Sequence, residues 1–117
     1  MQEMKRTAEI IRRLTARNIK LFRPPYGVTN PTVASTLEKM NMVSIGWSLR
    51  TKDTMIKDDE VLLKRIKSRL KPGDVVLLHD SKTGTVNRLK ILLKYLRDQQ
   101  YTIQGIDQLL NIEPYVR

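Results

Sequence analysis

Residues 58–80 read DDEVLLKRIKSRLKPGDVVLLHD, and this stretch decides the class of fold. Asp58, Asp59 and Glu60 suit a helix N-terminus, where carboxylates meet the positive end of the helix dipole. Leu62, Leu63, Ile66 and Leu70 follow at helical spacing, and Pro72-Gly73 stops the helix. Val75 to Leu78 is then a continuous apolar run, the pattern of a strand covered on both faces. A helix feeding such a strand is one step of a parallel α/β sheet.

The same alternation extends outward. Met4, Ala8, Ile11 and Leu14 predict an amphipathic helix ending near Arg17, and Ile19 to Phe22 a short strand. Asn30 is placed to cap a second helix with Pro31 at its first position and Val33, Ala34, Leu37 and Met40 as its apolar stripe. Val43, Ile45, Trp47 and Leu49 alternate and predict one strand. Beyond His79, Thr85 is expected to cap a helix carrying Leu89, Leu92, Leu93 and Leu96. Tyr101 to Ile103 predicts a last strand, and Asp107 to Leu110 a terminal helical turn. The expected fold class is α/β, with about four parallel strands alternating with helices. A crossover helix normally follows a parallel strand, so the opening helix implies an element upstream of it.

Composition narrows the chemistry. At 117 residues the chain is one domain's worth, and six aromatics leave the core to aliphatic side chains. There is no cysteine and one histidine, His79, which removes disulfides, thiolate nucleophiles and any site built from several imidazoles. No run approaches the roughly 18 apolar residues of a membrane span, and the charged N-terminus is unlike a signal peptide, so the compartment stays open. The formal charge of +10 raises nucleic acid as a partner. However, Lys64, Arg65, Lys67, Arg69 and Lys71 lie on the polar side of a helical pattern, and no aromatics are interleaved for base stacking. The charge is therefore read as a solvated face in preference to a nucleic-acid site.

Ligand sites of parallel sheets form at the carboxyl ends of the strands. Those ends carry Arg23-Pro24-Pro25-Tyr26-Gly27, Arg50-Thr51-Lys52-Asp53 and His79-Asp80-Ser81. Pro-Pro-Tyr-Gly is either a tight connection or a rigid loop that aims Arg23 and the following amides. His79 is either a half-buried imidazole satisfied by a carbonyl or a proton donor oriented by Asp53, since neighbouring strands lie about 4.8 Å apart.

Taken in order, Phe22 to Gly27, Trp47 to Asp53 and Pro72 to Asp80 resemble the last three motifs of the polysaccharide deacetylases, the NodB-homology family of carbohydrate esterases. Gln100 to Ile103 and Asp107 to Leu110 are similar to that family's terminal strand and helix, so the likeness runs from about Met4 to Leu110. The resemblance implies an irregular (β/α) barrel and metal-assisted hydrolysis of acetyl groups from acetylated sugars. It implies that His79 is the general acid protonating the leaving amine, and that Asp53 orients His79. It further implies that Arg23 holds the catalytic base, that the Tyr26 N–H serves the oxyanion, and that Pro25, Trp47 and Leu77 line the substrate site.

The family's first motif, Thr-Phe-Asp-Asp-Gly-Pro, supplies the base and a metal-binding aspartate, and its second supplies two histidine ligands. Neither occurs here. Arg50 and Thr54 also replace the Asp and Trp that the family often has. Residues 1–117 are therefore expected to form the C-terminal half of the barrel, inactive alone. The family's divalent metal, zinc by preference, is expected in the intact domain and none in this chain by itself. Implied partners are an acetylated polysaccharide or peptidoglycan-like glycan, and either a second copy or the missing N-terminal half. Intact members are often secreted or associated with the cell envelope. The alternative is a non-catalytic basic module that binds a partner or an acidic polymer.

Overall fold

The computed structural model describes residues 2–27 and 29–116. The chain divides into two compact units, one formed by Met1–Gly46 with Leu110–Arg117 and the other by Trp47–Leu109. Each is built around one parallel strand pair with a helix in the connection.

The first unit opens with helix α1, Gln2–Thr15. Arg12 and Arg13 both hydrogen-bond Glu9 one turn back and hold its carboxyl down to about 2. The helix ends two residues earlier than the pattern predicts, because Ala16 turns left-handed (φ 57°) while its N–H still reaches the Arg12 carbonyl at 2.8 Å. Strand β1 is Leu21–Phe22. Helix α2, Pro31–Lys39, begins as the sequence directs: the Asn30 side chain accepts the Val33 N–H at 2.9 Å, and Pro31 fills a position that needs no donor. Strand β2, Val43–Ser44, lies parallel to β1 with Leu21 beside Val43 and Phe22 beside Ser44. The other partner of this region comes from the far end of the chain. Ile19 bridges antiparallel to Tyr115, with Lys20 N–H on the Pro114 carbonyl and Val116 N–H on the Asn18 carbonyl. The Arg17 guanidinium lies 4.7 Å from the centre of the Tyr115 ring.

In the second unit, strand β3 is Leu49–Arg50, helix α3 is Asp59–Arg69 and strand β4 is Val76–Leu77. Leu49 pairs with Val76 and Arg50 with Leu77, in parallel. The single strand expected over Val43 to Leu49 is thus two strands in different pairs. Gly46 interrupts the run, offering no side chain to pack and a backbone with more freedom to lose. Leu49, Leu62, Ile66 and Leu92 form the buried core, with Ile56, Leu70, Val76, Leu78, Tyr95 and Leu96 packed around it. Val76 and Leu78 share that face, so strand alternation puts the buried Leu77 on the opposite one.

The turn into β4 is pinned by Asp74, whose carboxylate accepts the Ser48 hydroxyl at 2.7 Å and the Lys71 N–H at 2.8 Å. Helix α3 is capped by Asp58, which accepts the Val61 N–H. Helix α4, Thr85–Asp98, differs from expectation at its start. Its cap is the left-handed Gly84, and the Thr85 hydroxyl instead reaches back to the Lys82 carbonyl at 2.7 Å. The expected strand Tyr101 to Ile103 forms no ladder. Gln100 is left-handed (φ 59°) and the Tyr101 N–H closes the helix end on the Leu96 carbonyl, which turns the chain away before a strand can pair. Helix α5, Ile106–Leu110, follows. No helix among the described residues is long and apolar enough to cross a membrane.

Candidate active site

The site is best defined where β3 and β4 end together. Their register sends Thr51 to Asp53 and Leu78 to His79 out from one end of the pair. Asp53 meets His79 twice: Oδ1 lies 2.9 Å from the imidazole Nδ1, and Oδ2 accepts the His79 backbone N–H at 2.6 Å. Asp53 is 8% exposed and the His79 side chain 42% exposed, so a buried carboxylate holds an accessible imidazole. An ionised carboxylate only accepts, which assigns the Nδ1 proton to this bond and leaves Nε2 to exchange a proton with a ligand.

Burial is the largest single influence on the Asp53 carboxyl and pushes it up. Hydrogen bonds from the His79 ring and backbone, the charge of the imidazolium and the Thr51 hydroxyl together outweigh it, holding the carboxyl below its ordinary 3.8. Asp53 is therefore ionised at neutral pH, as an orienting group must be.

Thr51, fully buried, carries no sequence signal that singles it out, yet it links these parts. Its hydroxyl donates to the Leu77 carbonyl at 2.7 Å, sits 3.2 Å from Asp53 Oδ1 and accepts the Asp53 N–H at 3.3 Å. Lys52 between them takes a left-handed conformation, φ 63°, which turns the Asp53 side chain back over Thr51.

Two arginines secure the same segment from outside. Arg65 of α3 donates to the Thr51 carbonyl at 3.2 Å and the Arg50 carbonyl at 3.3 Å. Arg88 of α4 reaches the carbonyls of Asp53 and Lys57. Arg65, half-buried, thus departs from the solvated face assigned to it by helical spacing, whereas Lys67 stays exposed on that face with its ammonium 4.9 Å from the centre of the Tyr95 ring. Spacing reports which side of a helix is polar and not where a long cationic side chain ends.

The remaining candidates fall in two places. Trp47 is half-buried just before β3, and Leu77 is buried in β4 on the His79 side of the pleat. Arg23, Pro25 and Tyr26 belong to the first unit, where Arg23 is exposed directly after β1. Pro24 is buried, and its carbonyl accepts the Gly27 N–H at 3.1 Å to close a 3-10 turn over Pro25–Gly27. Within that turn Tyr26 is left-handed (φ 56°, ψ 10°), and the residue is 98% exposed. A bulky residue in that region is strained by on the order of 1 kcal/mol or more.

Catalytic zinc takes three protein ligands. Among the described residues no three His, Asp or Glu side chains gather as a metal site. The donors here do not fit one either, since both Asp53 oxygens and Nδ1 of the lone imidazole are engaged with each other.

The polysaccharide deacetylase family matches residues 1–45. The peptidoglycan-N-acetylglucosamine deacetylase PgdA of Listeria monocytogenes is 33% identical over 88 residues, which is 75% of this chain and 18% of that protein. The solved structure of peptidoglycan deacetylase PdaC from Bacillus subtilis superposes with a TM-score of 0.79 at 26% identity, covering 90% of this chain and 50% of that one. A CE4 family pseudoenzyme from Bacillus anthracis superposes at 0.76 with 28% identity, covering 91% of this chain and 37% of that one. The chain therefore spans half or less of these relatives. One fold carries both a deacetylase and a pseudoenzyme, so activity has to be argued from the residues of the site.

Proposed function

The chain belongs to the polysaccharide deacetylase family and has the CE4 fold, a partial (β/α) barrel domain, and we propose that it supplies the proton-donating side of a site that deacetylates an N-acetylated, peptidoglycan-like glycan. The observation that carries this is the Asp53–His79 pair at the ends of β3 and β4. When an acetamide is hydrolysed, water adds to the carbonyl, an oxyanion forms and the C–N bond breaks. The amine leaves only if its nitrogen receives a proton. His79 donates that proton from Nε2, while Asp53 keeps Nδ1 protonated and stabilises the imidazolium before transfer.

The remaining roles of the reaction are assigned to the other candidates. The Tyr26 N–H donates to the oxyanion, and its strained backbone supports an amide held in place for a purpose. Arg23 holds the base that removes a proton from water. Pro25, Trp47 and Leu77 border the acetyl group and sugar. The base, and the divalent metal that polarises the carbonyl in this family, belong to motifs outside residues 1–117, which form the C-terminal half of the domain. By itself the chain releases no acetate.

The test joins residues 1–117 to a segment carrying an Asp-Asp motif and a His-x-x-x-His motif and measures acetate release from N-acetylated chito-oligosaccharide or peptidoglycan. Release that His79→Asn abolishes is the expected result. Release that survives His79→Asn, or turnover by residues 1–117 alone, contradicts the assignment.

A second reading, a partner module without chemistry, is favoured by the likeness to a pseudoenzyme and by α1. That helix buries none of its side chains fully, and Ile10 and Leu14 on it are exposed. This apolar face pairs with a second copy or with the complementary half of the domain.

A further inference from the structure

We propose that Arg88 is a positioning residue for the Asp53–His79 pair, acting through the main chain of the loop that carries Asp53; the inference takes the acid role of His79 as its premise. Both Asp53 carboxylate oxygens are engaged by His79 and the Asp53 N–H rests on the Thr51 hydroxyl, which leaves the Asp53 carbonyl to be held from elsewhere. Residues 51–57 contain no strand or helix, and Lys52 holds an uncommon left-handed conformation there. The Met55 and Ile56 N–H groups close a turn on the Lys52 carbonyl, and the carbonyls of Asp53 and Lys57 are held from outside that turn.

Arg88 holds them with its whole fork. Nη1 donates to the Asp53 carbonyl at 2.8 Å, Nη2 to the Lys57 carbonyl at 2.6 Å, and Nε to Asp59 Oδ1 at 2.5 Å. These acceptors span the loop from Asp53 to the first turn of α3. The Arg88 side chain is 17% exposed, and the Asp59 carboxylate balances its charge. A planar guanidinium fixes three acceptors in one geometry, whereas an ammonium is a point charge that cannot.

The same turn of α4 also addresses the other partner. Thr85, three residues before Arg88, lies on the same helix face, and its hydroxyl is 3.2 Å from the His79 carbonyl. One helical turn therefore holds the main chain at the orienting carboxylate and lies against the main chain of the acid. Hydrogen bonds weaken steeply with angle and distance, so a small shift at Asp53 loosens the 2.9 Å contact to Nδ1.

The experiment uses residues 1–117 as they are, with His79 as the single imidazole signal. Amide exchange and long-range 15N–1H NMR are recorded for wild type, Arg88→Lys and Arg88→Ala. In both variants the His79 amide is expected to lose protection on the order of tenfold, and the neutral imidazole to shift away from the Nδ1–H tautomer. Amides of Leu62 and Leu92 in the core are expected to keep their protection in Arg88→Lys. Unchanged His79 signals in both variants would overturn the inference. So would a uniform loss across the core in Arg88→Lys, which is the signature of a merely structural arginine. None of these signals depends on turnover, so failure of the deacetylase assignment and failure of the Arg88 role are told apart.

Discussion

Asp53 grips His79 at two points, its ring at 2.9 Å and its backbone N–H at 2.6 Å. A carboxylate bonded only to the ring would set the tautomer and leave the ring free to swing with its loop. Bonded also to the main chain of the same residue, it fixes where the ring starts from as well as which nitrogen holds the proton. The pair is thus defined before substrate arrives, which is what preorganised acid catalysis requires.

Thr51 should be the most sensitive small residue in this region. Thr51→Val keeps the volume but leaves the Leu77 carbonyl and the Asp53 N–H without their partner in a site with no access to water. The expected cost is about 1–3 kcal/mol in urea unfolding, with Thr51→Ser close to wild type. Equal stability of the valine variant would show that the hydroxyl does not join the two strand ends.

Acid should destabilise the chain through Asp53 in a defined direction. Its folded carboxyl lies below the unfolded value of 3.8, so its ionised form contributes stability that is fully present above that value and is lost as pH falls through the folded one. Thermal unfolding followed by circular dichroism below about pH 4 should fall less steeply with acid in Asp53→Asn than in wild type. Parallel slopes for the two proteins would remove Asp53 as the source.

Asn30 tests the first unit independently. Replacing it by alanine removes the acceptor for the Val33 N–H and is expected to cost about 1 kcal/mol, with Asn30→Ser retaining most of the cap. Denaturant titration reads both, and an alanine variant as stable as wild type would mean that Pro31 alone starts α2.

If α1 pairs with another surface, Leu14 is the place to break it, being 80% exposed on an amphipathic helix. Sedimentation at micromolar concentrations is expected to show self-association by the chain alone, and Leu14→Glu to reduce it. A wild-type monomer throughout that range would count against a second copy as the occupant of this face.

The local signals were legible. Asn30-Pro31, Asp58 and the apolar run at Val75 to Leu78 each state their structure within a few residues, and parallel strands with polar ends sufficed to bring Asp53 beside His79. What escaped depends on distant partners or on one backbone angle. Nothing in Pro114 to Val116 announces that it will line the edge at Asn18 to Lys20. Gly46 divides an alternating pattern that otherwise reads as one strand, and left-handed Gln100 cancels the strand expected after α4. Thr51 looked like one more polar residue in a loop, and Arg88 like one more cation on a helix. Their roles arise from carbonyls that only the folded chain brings within reach.

The most direct measurement is the tautomer of the single imidazole, read by long-range 15N–1H NMR in the wild-type chain and in Asp53→Asn. A carboxylate-oriented acid requires wild-type His79 to carry its proton on Nδ1 when neutral, and the asparagine variant to move toward the Nε2–H form that free imidazoles favour. A wild-type His79 already in the free mixture, unchanged by Asp53→Asn, would mean that Asp53 does not orient the acid.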